Sequence, residues 1–179
     1  MGIELPSRFK HTIISDGIRS ACLENPSKVA FKHGDKTRTY RELIQRMDVI
    51  AEIISSSDIP LKSNIAIVAS NSIEYMEIVL ASSQLGHPIA TINPKLTATE
   101  LVSICEDAEA KLLFVDEKAH SLLKGIEIKG IKRIIDTDNQ MEDLIGQTDC
   151  QEEFPPVTET DTFTIPYTSG TTGKPKGVL

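Results

Sequence analysis

From Phe163 the chain reads Phe-Thr-Ile-Pro-Tyr-Thr-Ser-Gly-Thr-Thr-Gly-Lys-Pro-Lys-Gly, ending at Gly177. Hydroxyl side chains fill four of the five positions from Thr168 to Thr172: Thr168, Ser169, Thr171 and Thr172, with Gly170 between them. Glycines at 170, 173 and 177 let backbone amides come close to a bound group, because no Cβ stands in the way. Lys174 and Lys176 add positive charge, and no acid follows Asp161, so this end is locally +2. Amides, hydroxyls and ammonium groups offered together are the donors a polyphosphate needs.

The loop is not of the Walker type. That motif needs G-x-x-x-x-G-K-[ST], and no frame here supplies it. Pro175 also pushes Lys174 out of helical angles, so no helix N-terminus can start directly behind Gly173. The segment reads instead as a long flap that folds over phosphates. Its composition alone also suits a Gly/Thr/Lys surface turn with no ligand.

The elements that must position this loop follow from periodicity. Ile13, Ile14, Ile18, Ala21 and Cys22 share one helix face over residues 9–24, which Asn25-Pro26 ends. Val29-Ala30-Phe31 and Thr37-Arg38-Thr39 flank Gly34-Asp35 as a short hairpin. Thr39-Tyr40-Arg41-Glu42 is a capping box, and Leu43, Met47, Ile50 and Ile54 behind it mark a buried helix face. Ile65 to Ala69 is a continuous apolar run, as in a strand covered on both faces. Asn71 is expected to cap a helix whose core positions include Ile73, Met76, Val79 and Leu80. Further strands are expected at Pro88–Ile92, Leu112–Val115 and Lys132–Ile135. Between them, Thr97-Ala98-Thr99-Glu100 caps a helix with Leu101, Ile104, Cys105 and Ala108 inward, and Glu117–Leu123 forms a shorter one. Val178-Leu179 reads as the start of another strand. Strand and helix in alternation imply an α/β fold: a doubly wound, mostly parallel sheet with helices on both faces, preceded by the hairpin. The expected organisation is an α/β subdomain over 1–148, an acidic Pro-containing linker over 149–161, and a strand plus phosphate loop over 162–179.

Composition narrows the function. The 179 residues are 40% hydrophobic and 25% charged, as in ordinary soluble globular proteins. Nineteen Lys and Arg against 26 Asp and Glu give a net charge of −7. That balance argues against a nucleic-acid binder and against an anionic membrane surface as partner. The longest apolar run is far short of a bilayer span, so no transmembrane segment is expected. No basic region followed by an apolar stretch opens the chain, and Pro6 stands where a myristoylation pattern wants Ser or Thr. Cys22, Cys105 and Cys150 are too scattered for a disulfide framework or a zinc site, and free thiols fit a reducing cytoplasm. His11, His33 and His120 lack metal-ligand spacing, and His87, between Gly86 and Pro88, reads as structural. Cys105 reads as core packing and the acidic stretch 149–161 as a solvated linker.

The eleven residues Tyr167 to Gly177 resemble, without a break, the AMP-binding signature of the adenylate-forming superfamily. That superfamily includes acyl- and aryl-CoA synthetases, peptide-synthetase adenylation domains and firefly-type luciferases. Weaker echoes lie upstream in the same order: Thr39-Tyr40-Arg41-Glu42-Leu43, Leu85-Gly86-His87-Pro88, Ile92-Asn93-Pro94-Lys95-Leu96-Thr97 and Glu100-Leu101. The resemblance therefore runs from about residue 13 to the end. The Thr-Thr form of the loop and Ile92-Asn93-Pro94 look more like acyl-CoA synthetases than peptide-synthetase domains.

The resemblance implies a two-step reaction. A carboxylate attacks the α-phosphate of ATP, bound with Mg2+, to give an acyl-adenylate and pyrophosphate; a thiol, usually coenzyme A, then displaces AMP. It implies that Thr168, Ser169, Thr171 and Thr172 donate to the β- and γ-phosphates. Gly170 and Gly173 would offer amides, Lys176 would offset pyrophosphate charge, and Lys174 would be peripheral. None of these is a nucleophile or a base, so no catalytic residue and no metal ligand is assigned in this chain. The superfamily's adenine-binding, ribose-binding, acyl-binding and metal-linked segments, its hinge and its C-terminal lysine have no counterpart before Leu179. The chain is thus expected to be a fragment that is inactive alone. Other readings stay open: an aryl-acid or amino-acid adenylation domain serving a carrier protein, a stand-alone nucleotide-binding domain, and a non-catalytic module. An incomplete sheet would leave an edge through which copies could associate. The acyl substrate and thiol acceptor are not readable from these residues.

Overall fold

A computed structural model describes residues 13–150, 153–168 and 176–178. In chain order the elements are α1 (Ile14–Glu24), β1 (Val29–His33), β2 (Lys36–Thr39), α2 (Tyr40–Ser55), β3 (Ile65–Val68), α3 (Ile73–Gln84) and β4 (Ile89–Ile92). Then follow α4 (Ala98–Asp107), β5 (Leu112–Val115), α5 (Glu117–Leu123), β6 (Arg133–Asp136), α6 (Met141–Gln147), β7 (Thr164–Thr168) and β8 (Lys176–Gly177). β1 and β2 pair antiparallel as the expected hairpin. Among the described residues, the other strands form one sheet in the order β6-β5-β3-β4-β7-β8. The pairings from β6 to β7 are parallel, and β8 turns back antiparallel on β7.

The apolar runs become strands because both faces of the sheet are covered. Side chains alternate across a strand, so Ile65 and Ile67 face one way and Ala66 and Val68 the other. On the first side Ile89, Leu112, Phe114 and Ile135 join them beneath α2, α3 and α6, which contribute Ile50, Ile78 and Met141. On the second side Ala90, Ile92, Leu113 and Val115 pack against Leu101, Ile104 and Cys105 of α4 and Ala119 and Leu123 of α5.

Both capping boxes form. The Thr39 amide donates to Glu42 Oε2 at 2.7 Å and the Thr97 amide to Glu100 Oε2 at 2.9 Å, while each threonine hydroxyl accepts in return from the glutamate amide. Four expectations shift. The N-cap of α3 is Ser72, whose hydroxyl accepts from the Tyr75 amide at 3.0 Å. Asn71 stands one residue too early, before the extended backbone that presents the cap. Met76 is only half-buried, and the inward position beside it is Glu77. The last expected apolar strand runs one residue later than Lys132–Ile135, because Asp136 still pairs with Val115. At the end of the chain the strand is Lys176–Gly177 rather than a start at Val178, because these residues pair with Thr168 and Tyr167. The helix α6 had no expectation behind it.

Within the described part of 149–161 the acidic stretch is tethered. Asp161 is salt-bridged to Lys62 at 2.6 Å and accepts from the Thr158 amide at 2.8 Å, and Phe154 packs against the core. The predicted face of α1 is also only partly used. Ile18 packs near Leu43 and Met47, while Ile14 remains exposed.

Glu77 is fully buried, and its cost is met by two guanidiniums. Arg38 of β2 donates to one oxygen at 2.9 Å and Arg46 of α2 to the other at 2.6 Å. Arg46 continues to Glu142 of α6 at 2.7 Å. Burial works against the Arg46 charge, but its bonds to Glu142 and Glu77 outweigh it and hold its pKa above the ordinary value. The hairpin, α2, α3 and α6 are thereby locked together. Replacing Glu77 by Ala should cost about 3 kcal/mol in urea unfolding, because two half-buried guanidiniums lose the carboxylate they share. Replacing the exposed Glu142 should cost at most about 1 kcal/mol. Equal effects of the two changes would contradict this.

Acid should act on the edges of this network and on the separate turn around Asp136. Burial opposes charge at Glu74 and Asp136, but hydrogen bonds from Lys36 and from Asn139, respectively, outweigh it. At Glu142 the Arg46 bond itself is the largest influence. All three carboxyls sit below their ordinary values of 4.5 or 3.8, so the unfolded chain takes up protons first. Their contribution is present above pH about 4.5 and is lost as pH falls through the folded values. The urea midpoint should therefore fall steeply between pH 5 and pH 3, by about as much as those pairings contribute; a flat midpoint would count against it.

Candidate phosphate-binding site

β7 holds the loop at the carboxyl end of the sheet. It lies beside β4, with Ala90 opposite Ile165 and Thr91 opposite Pro166. Ile165 is buried under α4 and anchors the strand by its side chain. Pro166 has no N–H to give, but its carbonyl accepts from the Val178 amide at 3.1 Å. Thr168 is the last residue of β7 and pairs in register with Lys176, as Tyr167 does with Gly177. Both ends of the loop are thus brought side by side.

Of the residues expected to bind phosphate, the structure places Thr168 and Lys176, and it brings the two together. Lys176 is exposed on β8. Ser169, Gly170, Thr171, Thr172, Gly173 and Lys174 lie outside the described residues. Gly177 is required where it stands. A Cβ there would lie 2.9 Å from Ile165 Cγ2 and 3.1 Å from Tyr167 Cζ, so a larger residue would force the Ile165 and Tyr167 side chains or β8 to shift.

Sequence reasoning gave no separate role to Tyr167 or Asp107. The Tyr167 hydroxyl donates to Asp107 Oδ2 at 2.7 Å, at the last residue of α4. Partial burial, and then the Asp107 carboxylate, raise the phenol pKa, so it stays protonated and donates. No periodicity pairs residues so far apart in sequence. Beside them opens a cavity of about 400 Å³, lined by Asn64, Asp107, Glu109, Ile165, Tyr167 and Gly177.

The other singled-out groups are structural. His87 is buried, with Nδ1 2.7 Å from the Ser63 carbonyl oxygen; desolvation holds its pKa below the ordinary value. His120 Nδ1 lies 2.7 Å from Asp136 Oδ2. Among the described residues, no three His, Cys, Asp or Glu side chains gather to hold a metal ion. None of the described helices is long and apolar enough to cross a membrane. The loop's hydroxyls and lysines are a donor set that fits the phosphates of ATP.

A family model described as AMP-binding enzyme matches residues 18–179. The chain belongs to this family. The curated relatives include a medium-chain-fatty-acid–CoA ligase of Ectopseudomonas oleovorans, 30% identical over 82% of this chain and 30% of that protein. They also include N-(5-amino-5-carboxypentanoyl)-L-cysteinyl-D-valine synthase of Amycolatopsis lactamdurans, 34% identical over 86% of this chain but 4% of that protein. Among solved structures, a long-chain-fatty-acid-CoA ligase of Archaeoglobus fulgidus superposes with a TM-score of 0.82. It is 24% identical and covers 99% of this chain and 38% of its own, a likeness that establishes the fold. The chain spans about a third of the length of the curated CoA ligases it matches.

In this member of the AMP-binding enzyme family Cys105 is fully buried, and desolvation, then the nearby Glu106, push its thiol up to about 12. At pH 8 Cys22, which is partly exposed, should react with a disulfide reagent in the native protein. Cys105 should react only after denaturation. Full reaction of all three thiols in the native protein would show that Cys105 is reachable.

Proposed function

We propose that this chain supplies the phosphate-binding part of an ATP-dependent acid–thiol ligase. The observation that carries the reading is the unbroken Tyr167–Gly177 loop inside a chain matched to AMP-binding enzymes over residues 18–179. In the first step a carboxylate oxygen attacks the α-phosphorus of ATP, and the bond to the bridging oxygen breaks. Pyrophosphate leaves with the electron pair. In the second step the sulfur of coenzyme A attacks the acyl carbon, and AMP leaves. Thr168, Ser169, Thr171 and Thr172 donate to the β- and γ-phosphates, Gly170 and Gly173 offer amides, and Lys176 offsets the charge that builds on pyrophosphate, with Lys174 at the edge. Bound Mg2+ would neutralise further phosphate charge. Because the reaction places two anions together, positioning and charge balance are the whole contribution of this segment.

Medium-chain fatty acids are the first carboxylates to try, given the similarity to the Ectopseudomonas ligase. A second reading, amino-acid adenylation with delivery to a carrier protein, is supported by the 34% identity to the Amycolatopsis synthase. The three cysteines, scattered along the sequence, suit a reducing compartment, the cytosol. The ligase reading predicts carboxylate-dependent exchange of pyrophosphate into ATP by the whole protein, with none by the 179-residue chain alone. Lys176→Ala should raise the KM for ATP about tenfold, the value of one charged hydrogen bond, with the KM for the acid unchanged. Absence of exchange with every member of a panel of fatty, aryl and amino acids would refute the proposal.

A further inference from the structure

We infer that Tyr167 is a positioning residue for the phosphate loop, acting through its hydroxyl on Asp107 at the end of α4. The inference rests on the ATP-binding reading above and adds the contact that fixes the two strand residues flanking the loop.

β8 is two residues long and exposed, and it touches the sheet only through β7. A pairing so short does not hold its place by backbone bonds alone. α4 is a heavier support. It opens on a capping box and buries Leu101, Ile104 and Cys105 completely or nearly so. Its last residue, Asp107, puts a carboxylate at the negative end of the helix dipole, with Glu106 beside it and Glu109 two residues on. A donor there relieves an unfavourable charge, and the Tyr167 phenol supplies one at 2.7 Å. The same ring lies against Gly177, since a Cβ there would meet Tyr167 Cζ at 3.1 Å. One side chain therefore ties β7, β8 and α4 together at the base of the loop. Thr168 and Lys176, the flanking residues that pair across that base, take their position from it. A displacement of about 1 Å at a substrate-positioning group is enough to lower turnover substantially.

The test uses the whole protein and its wild-type and variant exchange kinetics. Tyr167→Phe removes only the hydroxyl and should raise the KM for ATP about tenfold, leaving the KM for the acid within about twofold. Asp107→Ala should do the same, and the double variant should be no worse than either single one, because both remove one bond. Asp107→Asn keeps an acceptor and should recover most of the loss. A second readout needs no turnover: the Val178 amide, which donates to Pro166, should exchange its hydrogen about tenfold faster in Tyr167→Phe. Unchanged ATP KM and unchanged Val178 exchange would overturn the inference. So would equal increases in both KM values, which would mark a general loosening. A wild-type protein inactive with every acid would refute the ligase reading instead; Val178 exchange then decides the Tyr167 contact by itself.

Discussion

The structure depends on β3 being satisfied on every side. Ile65 to Val68 bond to β4 on one edge and β5 on the other, and both faces are closed by helices. A parallel strand in that position has no route to water, so its residues must all be apolar and its neighbours must bring covers for both faces. The division of helices follows: α2, α3 and α6 on one side, α4 and α5 on the other. Among the described residues β7 reaches this centre only through β4, and the candidate phosphate loop follows its last residue, Thr168. The position of β7, and of the point after Thr168 where the chain leaves it, is therefore inherited, strand by strand, from β3.

Charge is arranged around that apolar centre in two ways. Inside, Glu77 is neutralised by Arg38 and Arg46, which joins the hairpin to three helices. Such a buried carboxylate stabilises little by itself, yet it makes the packing of those elements mutually dependent. Outside, acids exceed bases by seven over the chain, while the loop end carries only Lys174 and Lys176. The scaffold carries the negative charge and the last residues are left basic, which favours an anionic ligand at that end.

The features legible in the sequence are those set within a few residues. The capping boxes at Thr39 and Thr97 close over three positions, and both formed as read. The runs at Ile65 and Leu112 read as buried strands because the whole run is apolar. The helix face of Leu43, Met47, Ile50 and Ile54 followed from a 3.6-residue period, and all four are buried. The loop was legible as a set of donors, and its resemblance extended to a family that the match over 18–179 established. Errors arose where two neighbouring residues could serve the same local role. Asn71 and Ser72 are both good caps, and only the extended backbone at Ser72 chose between them. Met76 and Glu77 are adjacent on α3, and the nearby guanidiniums made the charged one the inward one.

By itself the sequence determined the order of the elements other than α6 and β8, the two-sided burial of the central strand β3 and the side-chain types available at residues 168–177. These depend on propensity, period and side-chain type, which act over one or two turns of chain. Tertiary structure alone decided that Glu77 meets Arg38 and Arg46, 39 and 31 residues away, and that Tyr167 meets Asp107 across 60. Such contacts carry no local signal, because they exist only after the sheet has fixed the distance between elements. The same holds for Gly177, which reads in the sequence as freedom for a loop and proves in the fold to be the space taken by Ile165 and Tyr167.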